Sequence, residues 1–159
     1  MTIAVLGCTG DLAKKKTYPA LFALFLHDHL PQSTLVVGYA RSDLNDVSLR
    51  ETLRDRLKGP GDKVQEFLQR CFYERGAYED ETRVDVFGGL GTRMAGFETA
   101  RNATEAHRIF YLALPPSVYP PVCRNIHEAC MATTGWTRVI VEKPFGRDLE
   151  SSERLSGGI

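Results

Sequence analysis

The segment Gly7-Cys8-Thr9-Gly10-Asp11-Leu12-Ala13-Lys14-Lys15-Lys16 follows directly on the apolar run Ile3-Ala4-Val5-Leu6. A strand that enters a glycine turn and then a helix can bind an anion, because backbone N–H groups and about half a positive charge meet at a helix N-terminus. Gly7 and Gly10 allow close approach of the backbone to such a group, since neither carries a Cβ. The spacing G-x-x-G-x-x-A differs from the common dinucleotide fingerprint G-x-G-x-x-G. The segment predicts a phosphate site, and an ordinary strand–turn–helix remains the alternative.

Strand and helix patterns alternate along the chain, which is typical of βαβ units and a parallel sheet. Strands are predicted at residues 3–6, 35–39, 107–114 and 137–141, with a further short strand at 82–90. Helices are predicted from Gly10 to Leu30, around 93–104 and after Pro116, and in two segments whose apolar positions are Val47, Leu53 and Leu57, and Val64, Phe67, Leu68, Cys71 and Phe72. Pro19 either kinks the first helix or marks its start.

Composition and charge exclude several classes of protein. The chain has 159 residues, of which 43% are hydrophobic and 25% charged, and its formal net charge is +0. Such a chain is globular and has no general attraction to nucleic acid or to anionic membranes. No apolar run reaches the roughly 18 residues of a membrane span, and Met1 leads straight into a strand without a secretory leader. We therefore expect no nucleic-acid partner and no membrane association.

Cysteine and histidine usage favours a reducing compartment and no metal site. The four cysteines form no C-x-x-C pair, so we expect free thiols and a cytoplasmic location. The histidines lack the spacing of metal ligands, so we expect no metal. These residues are Cys8, Cys71, Cys123 and Cys130, and His27, His29, His107 and His127.

Charged residues near the predicted turn indicate which anion it would bind. Arg41 follows the second strand, where a site for NAD would carry an acidic residue against the ribose 2′-hydroxyl. A guanidinium suits a 2′-phosphate instead, and a solvated arginine is the alternative. Lys14, Lys15 and Lys16 suggest an anion near the helix start, although adjacent residues lie about 100° apart and cannot all face it. Asp11 could instead cap the helix.

Four segments, in this order, resemble the N-terminal coenzyme domain of the glucose-6-phosphate dehydrogenase family. They are Gly7–Lys16, Gly38–Ser42, Phe110–Pro116 and Val141–Leu149, and shorter matches at Asn125–Glu128 and Ser151-Ser152 extend the resemblance through nearly the whole chain. The resemblance implies an α/β fold: a Rossmann-like dinucleotide-binding domain over residues 1–159, with helices on both faces of a parallel twisted sheet. In the family, a larger domain for substrate binding and oligomerisation follows.

The resemblance also implies roles for individual residues, with NADP as the cofactor. The coenzyme pyrophosphate would lie against Gly7, Cys8, Thr9, Gly10, Asp11, Leu12, Ala13 and Lys14. Arg41 and Thr9 would hold the 2′-phosphate, and Tyr119 would lie along the coenzyme near its nicotinamide half. Lys143 would reach both the coenzyme and the sugar substrate. Thr9 stands where serine is usual in the family, and the hydroxyl is kept.

The activity implied by the resemblance is NADP-dependent oxidation of glucose 6-phosphate to 6-phosphogluconolactone by a homo-oligomer, in carbohydrate metabolism. The family's catalytic histidine lies in an Arg-Ile-Asp-His-Tyr-Leu-Gly-Lys segment, which these 159 residues do not contain. We therefore expect no catalytic residue in this chain and no turnover by the chain alone. The alternatives are a non-catalytic NADP-binding fragment and a fragment that pairs with full-length subunits.

Overall fold

The computed structural model describes residues 1–79 and 85–142. The strands are β1 (Thr2–Leu6), β2 (Leu35–Ala40), β3 (Cys71–Arg75), β4 (Arg108–Leu112) and β5 (Thr137–Val141). The α-helices are α1 (Tyr18–Leu26), α2 (Asp46–Arg54), α3 (Gly61–Gln69), α4 (Gly88–Ala100) and α5 (Tyr119–Ala129). A π-helical turn at Ala13–Thr17 precedes α1, and a 3-10 turn at Pro116–Val118 precedes α5. The predicted α/β class is confirmed.

The five strands form one parallel sheet in the order β3-β2-β1-β4-β5. From β1 the chain moves outward to β2 and β3, then crosses back to β4 and continues to β5. Because crossovers between parallel strands are right-handed, connections that move in opposite directions along the sheet lie on opposite faces of it. Accordingly α1, α2 and α3 cover one face, and α4 and α5 cover the other. Between β1 and β4 the direction reverses, and this reversal is where ligands bind in open parallel sheets.

Two hydrophobic clusters, one on each face, hold the helices to the sheet. The first joins β1 and β2 to the first three helices through Ile3, Val5, Val36, Tyr18, Phe22, Leu49, Leu53, Phe67 and Leu68. The second joins β1, β2 and β4 to the last two helices through Ala4, Leu6, Val37, Phe110, Leu112, Leu90, Met94, Val122 and Ile126. Because both faces of β1 and β2 are buried, these strands are apolar on both faces apart from Thr2 and do not alternate.

The start of the first helix departs from regular α geometry, and Pro19 supplies the physical reason. Residues Ala13–Thr17 form a π-helical turn, and α1 begins at Tyr18. Proline has no N–H for the i→i−4 ladder and its ring clashes with the carbonyl of the preceding turn, so the turn before it widens. Pro19 therefore marks the start of α1, as one of the two sequence interpretations held. The helix ends at Leu26, four residues before Leu30.

Two sequence predictions were wrong in the segment between α3 and α4. Cys71 and Phe72 were assigned to a helix but lie on β3, because the apolar i, i+3, i+4 spacing of α3 continues into the strand by coincidence. A strand was predicted at 82–90, whereas residues from Gly88 onward form α4 and Leu90 is buried on that helix. Residues 80–84, including Val84, lie outside the described residues.

Two arginines on the α4 side of the sheet connect elements through charged hydrogen bonds. Arg93 of α4 binds both carboxylate oxygens of Asp46, at 2.8 and 2.9 Å, and so reaches around the outer strand β3 to α2. Arg108 at the start of β4 binds Glu98 of α4 at 2.6 and 2.8 Å, and only 5% of its side chain is exposed. Breaking a buried pair by removing one partner leaves an uncompensated charge. These pairs therefore fix how α4 lies against the sheet.

Two glycines of α4 differ in the space around them, which gives a matched pair of variants. A Cβ at Gly91 would lie 2.1 Å from the backbone oxygen of Ala129, whereas one at Gly96 would meet nothing within 4 Å. We expect Gly91→Ala to lower the free energy of unfolding by about 1–3 kcal/mol, because α4 and α5 must separate. Gly96→Ala should raise it by about 0.5–1 kcal/mol through helix propensity. Urea denaturation measures both, and equal effects would contradict the close packing of α4 on α5.

Candidate functional site

The reversal between β1 and β4 opens a cavity of about 300 Å³ at the carboxyl edge of the sheet. Loops after four of the strands and the 3-10 turn before α5 form its wall. The lining residues are Gly7, Thr9, Gly10, Arg41, Ala77, Tyr78, Glu79, Ala113, Leu114, Pro115 and Val118. Of the predicted site residues, Gly7, Thr9, Gly10 and Arg41 are therefore brought together around one space.

The glycine turn after β1 is held tightly between the ends of its neighbouring strands. Gly7 has φ +81°, and a Cβ there would lie 2.4 Å from the backbone oxygen of Ala113. The N–H groups of Gly7 and Cys8 both donate to the Tyr39 carbonyl, at 2.9 and 3.3 Å. Only glycine tolerates this combination of positive φ and close approach.

The same hydrogen bonds decide which N–H groups of the turn remain for an anion. Gly7, Cys8 and Gly10 donate within the protein. In the part of the chain that the structure describes, the N–H groups of Thr9, Asp11 and Leu12 have no hydrogen-bond acceptor. They precede the first helical turn, where the helix dipole is positive. These three N–H groups fit a phosphate group. They are fewer than the eight residues, Gly7 to Lys14, that the resemblance places against the pyrophosphate.

Of the three lysines after the turn, one has a partner. Lys15 binds the carboxylate of Asp11 at 2.7 Å, and this hydrogen bond lowers the pKa of Asp11. Asp11 therefore pairs with a lysine and makes no capping hydrogen bond to the helix start among the described residues. Lys14 and Lys16 make no ion pair within residues 1–79 and 85–142. Neither of these two lysines lines the cavity.

Arg41 follows β2 and lines the cavity. Its guanidinium carbon is 5.6 Å from the centre of the Tyr78 ring. Burial raises the pKa of Tyr78 to about 12, so this ring carries no charge at neutral pH. Next to Arg41, the Ser42 hydroxyl lies 3.2 Å from the hydroxyl of Thr9. One guanidinium and two hydroxyls therefore converge at the end of β2.

Sequence reasoning missed Ser42 and Tyr78 as parts of the site. Ser42 was quoted only within a motif, although its position after Arg41 at a strand end is a usable signal. Tyr78 follows β3, the strand that was taken for a helix, so its place at the carboxyl edge could not be inferred. Tyr39 explains the local geometry: its hydroxyl donates to the carbonyl of Ala77 at 2.7 Å and draws the loop after β3 toward β2.

Some predicted site residues have buried side chains. Cys8 and Ala13 are fully buried, so only their backbones could face a ligand. Tyr119 is also fully buried, under the second hydrophobic cluster, and does not line the cavity. Leu12 is exposed. Lys143 lies outside the described residues, so its predicted contact with coenzyme and substrate stays a prediction.

The described residues provide neither a cluster of metal ligands nor a membrane-spanning helix. Residues 1–79 and 85–142 contain no cluster of three or more histidine, cysteine, aspartate or glutamate side chains placed to hold a metal ion. None of the helices in these ranges combines the length and apolar character that crossing a bilayer requires. The four cysteines are free.

One family of known proteins matches nearly the whole chain. The sequence model of the family described as "Glucose-6-phosphate dehydrogenase, NAD binding domain" matches residues 4–159. This chain belongs to that family. The match covers both the glycine turn and Arg41, so the residues around the cavity fall within the family's dinucleotide-binding domain. Binding of a dinucleotide at this domain is the coarse function that family membership supports.

Individual relatives agree with the family assignment. Glucose-6-phosphate 1-dehydrogenase of Dictyostelium discoideum is 43% identical over 98% of this chain and 31% of its own length. The cytoplasmic isoform of Solanum tuberosum is 46% identical over all of this chain and 32% of its own length, and the chloroplastic enzyme of Spinacia oleracea is 43% identical over 98% and 27%. The chain thus spans about a third of the relatives' length, and they include forms from two compartments.

Solved structures likewise match nearly all of this chain and about a third of their own length. A glucose-6-phosphate dehydrogenase in complex with glucose 6-phosphate superposes with a TM-score of 0.91 at 41% identity, over 99% of this chain and 33% of the other. The enzyme from Mycobacterium avium gives a TM-score of 0.77 at 28% identity, over 98% and 32%. These relatives are dehydrogenases, which are oxidoreductases.

The buried thiol of Cys8 makes stability depend on pH in the alkaline range. Burial raises the pKa of Cys8 from 9.0 to about 12. Between pH 9 and 12 the unfolded chain loses this proton and the folded chain keeps it, so stability falls as pH rises, by up to about 1.4 kcal/mol per pH unit. In denaturation series at pH 9.5–11, we expect the free energy of unfolding of Cys8→Ala to fall less steeply with pH than that of the wild type, by up to about 1.4 kcal/mol per pH unit. Cys123→Ala, at a half-buried position, is the control, and its pH dependence of stability should change less. If the pH dependence of stability in Cys8→Ala equals that of the wild type, the raised pKa of Cys8 is contradicted.

Proposed function

We propose that residues 1–159 form the NADP-binding domain of an enzyme that oxidises glucose 6-phosphate to 6-phosphogluconolactone. One observation supports the choice of coenzyme above all others. Arg41, and not an acidic residue, follows β2 on the wall of the cavity that faces the glycine turn. A guanidinium can bind a 2′-phosphate through two parallel hydrogen bonds, whereas the 2′-hydroxyl of NAD offers it no charge.

The cavity fits the phosphates of this coenzyme by shape and by donor chemistry. At Gly7 the chain passes against the Ala113 carbonyl, which a Cβ would displace, so the glycine keeps the turn at the edge of the cavity. The free N–H groups of Thr9, Asp11 and Leu12 would hold the pyrophosphate at the helix start. Arg41 would hold the 2′-phosphate, with the hydroxyls of Thr9 and Ser42 as further donors.

When bound, NADP supplies the hydride acceptor of the reaction. The chain's own residues bind it, orient it and limit the access of water to it. Pro115 and Val118 form an apolar wall beyond the phosphate donors, where an uncharged ring is bound more readily than a phosphate. Tyr119 would contact the coenzyme only if its ring left the core. Lys143 follows Glu142, whose carboxylate accepts a hydrogen bond from the Tyr111 hydroxyl. That bond anchors the strand end that leads to Lys143.

Further parts of the proposal rest on the relatives. One solved relative is named as a complex with glucose 6-phosphate, which supports this sugar phosphate as the substrate. A homo-oligomer and a cytoplasmic location complete the proposal, the latter in line with the named cytoplasmic relatives.

Coenzyme choice gives the first test. We expect Arg41→Ala to weaken NADP binding by about 1.5–3 kcal/mol, the range of a charged hydrogen bond, and to leave NAD binding almost unchanged. Calorimetric titration of both coenzymes against both proteins measures this. Arg124→Ala removes an equal charge from an exposed position on α5 and should change neither affinity. An equal loss for NAD and NADP in Arg41→Ala would show that Arg41 does not bind the 2′-phosphate.

The second test concerns turnover by the 159-residue chain itself. The cavity is lined by no histidine among the described residues, and His27, His29, His107 and His127 all lie elsewhere. Without the histidine base that the resemblance implies, and without the domain that binds the sugar phosphate in the family, we expect no oxidation of glucose 6-phosphate. NADPH absorbance at high protein concentration measures it, with NADP binding as proof of a competent fold. Turnover that survives repurification and is lost in Lys143→Ala would show that the chain carries its own base.

A further inference from the structure

The loop after β2 carries the residue that is proposed to bind the 2′-phosphate, yet burial does not fix it. Arg41, Ser42 and Asp43 are all exposed. The Arg41 side chain lies against the Tyr78 ring, and three hydrogen-bonding contacts hold the rest of the loop. The Tyr73 hydroxyl donates to the Ser42 carbonyl, Arg75 donates to the Asp43 carboxylate, and the Ser42 hydroxyl donates to the Thr9 hydroxyl.

The contact made by Tyr73 differs from the other two in burial and in length. Only 3% of Tyr73 is exposed. Its hydroxyl donates to the Ser42 carbonyl at 2.6 Å and also lies 3.0 Å from the Ala40 carbonyl. The Ser42 oxygen accepts a second hydrogen bond, from the N–H of Leu44 at 3.0 Å. Both lone pairs of this carbonyl are thus occupied, which fixes the peptide plane between Ser42 and Asp43. The Ala40 carbonyl near the same hydroxyl belongs to the peptide directly before Arg41.

The other two contacts are weaker because water competes for them. Arg75 and Asp43 are 2.9 Å apart, but 58% and 85% of their side chains are exposed. Exposed ion pairs of this kind contribute little to stability. The hydroxyl pair of Ser42 and Thr9, at 3.2 Å, is exposed as well. Of these three hydrogen-bonding contacts, the one made by Tyr73 is therefore the contact that a water molecule cannot readily replace.

Tyr73 is itself held in place from both sides of the sheet. Its backbone N–H donates to the Asp46 carboxylate at 2.6 Å, and Arg93 of α4 binds the same carboxylate. Its ring packs in the first hydrophobic cluster, beneath the end of β2. A side chain fixed at its backbone and along its ring presents its hydroxyl in a constant position.

We propose that Tyr73 is a positioning residue for coenzyme choice: its hydroxyl holds the backbone carbonyls of Ala40 and Ser42, on either side of Arg41, and thereby keeps that guanidinium where a 2′-phosphate binds. This inference rests on the proposed NADP site. A loop that is fixed beforehand need not be ordered when the ligand binds, so the ordering cost does not reduce affinity. NAD has no phosphate at this position, and its affinity does not depend on the loop.

The test compares four proteins: the wild-type chain, Tyr73→Phe, Arg41→Ala and the double variant. The ligands are NADP, NAD, and the fragments adenosine 2′,5′-bisphosphate and AMP, and calorimetry or fluorescence titration gives each Kd. Loss of one uncharged hydrogen bond predicts a rise of about 5-fold in the Kd of the two 2′-phosphate ligands in Tyr73→Phe. The Kd of NAD and AMP should stay within about 2-fold.

The double variant separates positioning from general stability. Because Tyr73 acts through Arg41, Tyr73→Phe should have no further effect on NADP once Arg41 is alanine. Tyr18→Phe removes another buried tyrosine hydroxyl from the same face of the sheet and should leave the ratio of NADP to NAD affinity unchanged. An equal weakening of all ligands by Tyr73→Phe, or an additive effect in the double variant, would overturn the proposal. A wild-type chain with no preference for NADP would instead overturn the proposed function.

A second variant avoids any change in the core. Asp43→Ala combined with Arg75→Ala removes the exposed contact to the same loop with no change in net charge. If the loop must be held for the 2′-phosphate to bind, this variant should raise the Kd of NADP by about 2-fold. Combining it with Tyr73→Phe should raise the Kd by more than the product of the separate effects. Unfolding of each protein is followed by circular dichroism. If Tyr73→Phe does not fold, an unchanged Kd in the surface variant contradicts the role of the loop contacts.

Discussion

The junction at Gly7 is the constraint on which the rest of the structure depends. At this residue β1 ends with φ +81°, and its N–H donates to the Tyr39 carbonyl of β2. The Ala113 N–H donates to the Leu6 carbonyl, and the Ala113 carbonyl oxygen lies where a Cβ at Gly7 would be. Three neighbouring strands therefore meet at one residue without a side chain. The glycine turn thus lies against the end of β4, and the cavity opens beside it at the carboxyl edge of the sheet.

Two tyrosines extend this junction to the loops that surround the cavity. Tyr39 reaches from β2 to the loop after β3 through the Ala77 carbonyl, and Tyr73 reaches from β3 to the loop after β2 through the Ser42 carbonyl. A Cβ at Gly76 would lie 2.0 Å from the Tyr39 hydroxyl, so a glycine is required beside it. Each strand thus fixes the loop of its neighbour. The same residues belong to the hydrophobic clusters, so the core and the site are stabilised together.

The sequence predicted the parallel sheet and the glycine turn because both depend on local patterns. An apolar run, a glycine and a helix period lie within about fifteen residues of one another at the start of the chain. The strand β3 escaped prediction because Cys71 and Phe72 continue the spacing of α3, and only pairing with β2 makes them a strand. Tyr78 could not be recognised as a site residue without that strand. Tyr119 shows the reverse case: a position near the site in sequence lies in the core, because α5 turns its first residue toward β4.

Local charge, and not the charge of the whole chain, decides what an anion in the cavity would meet. The formal net charge is +0, and ions beyond a Debye length of about 8 Å are screened at physiological salt. Asp11 neutralises Lys15 beside the turn, while Arg41 lies against the uncharged ring of Tyr78. An arginine on an aromatic ring is held by the ring's quadrupole and keeps its full charge. A carboxylate in the place of Tyr78 would hold Arg41 as well but would cancel its charge. The aromatic contact therefore combines fixed position with undiminished charge, which binding of a phosphate requires.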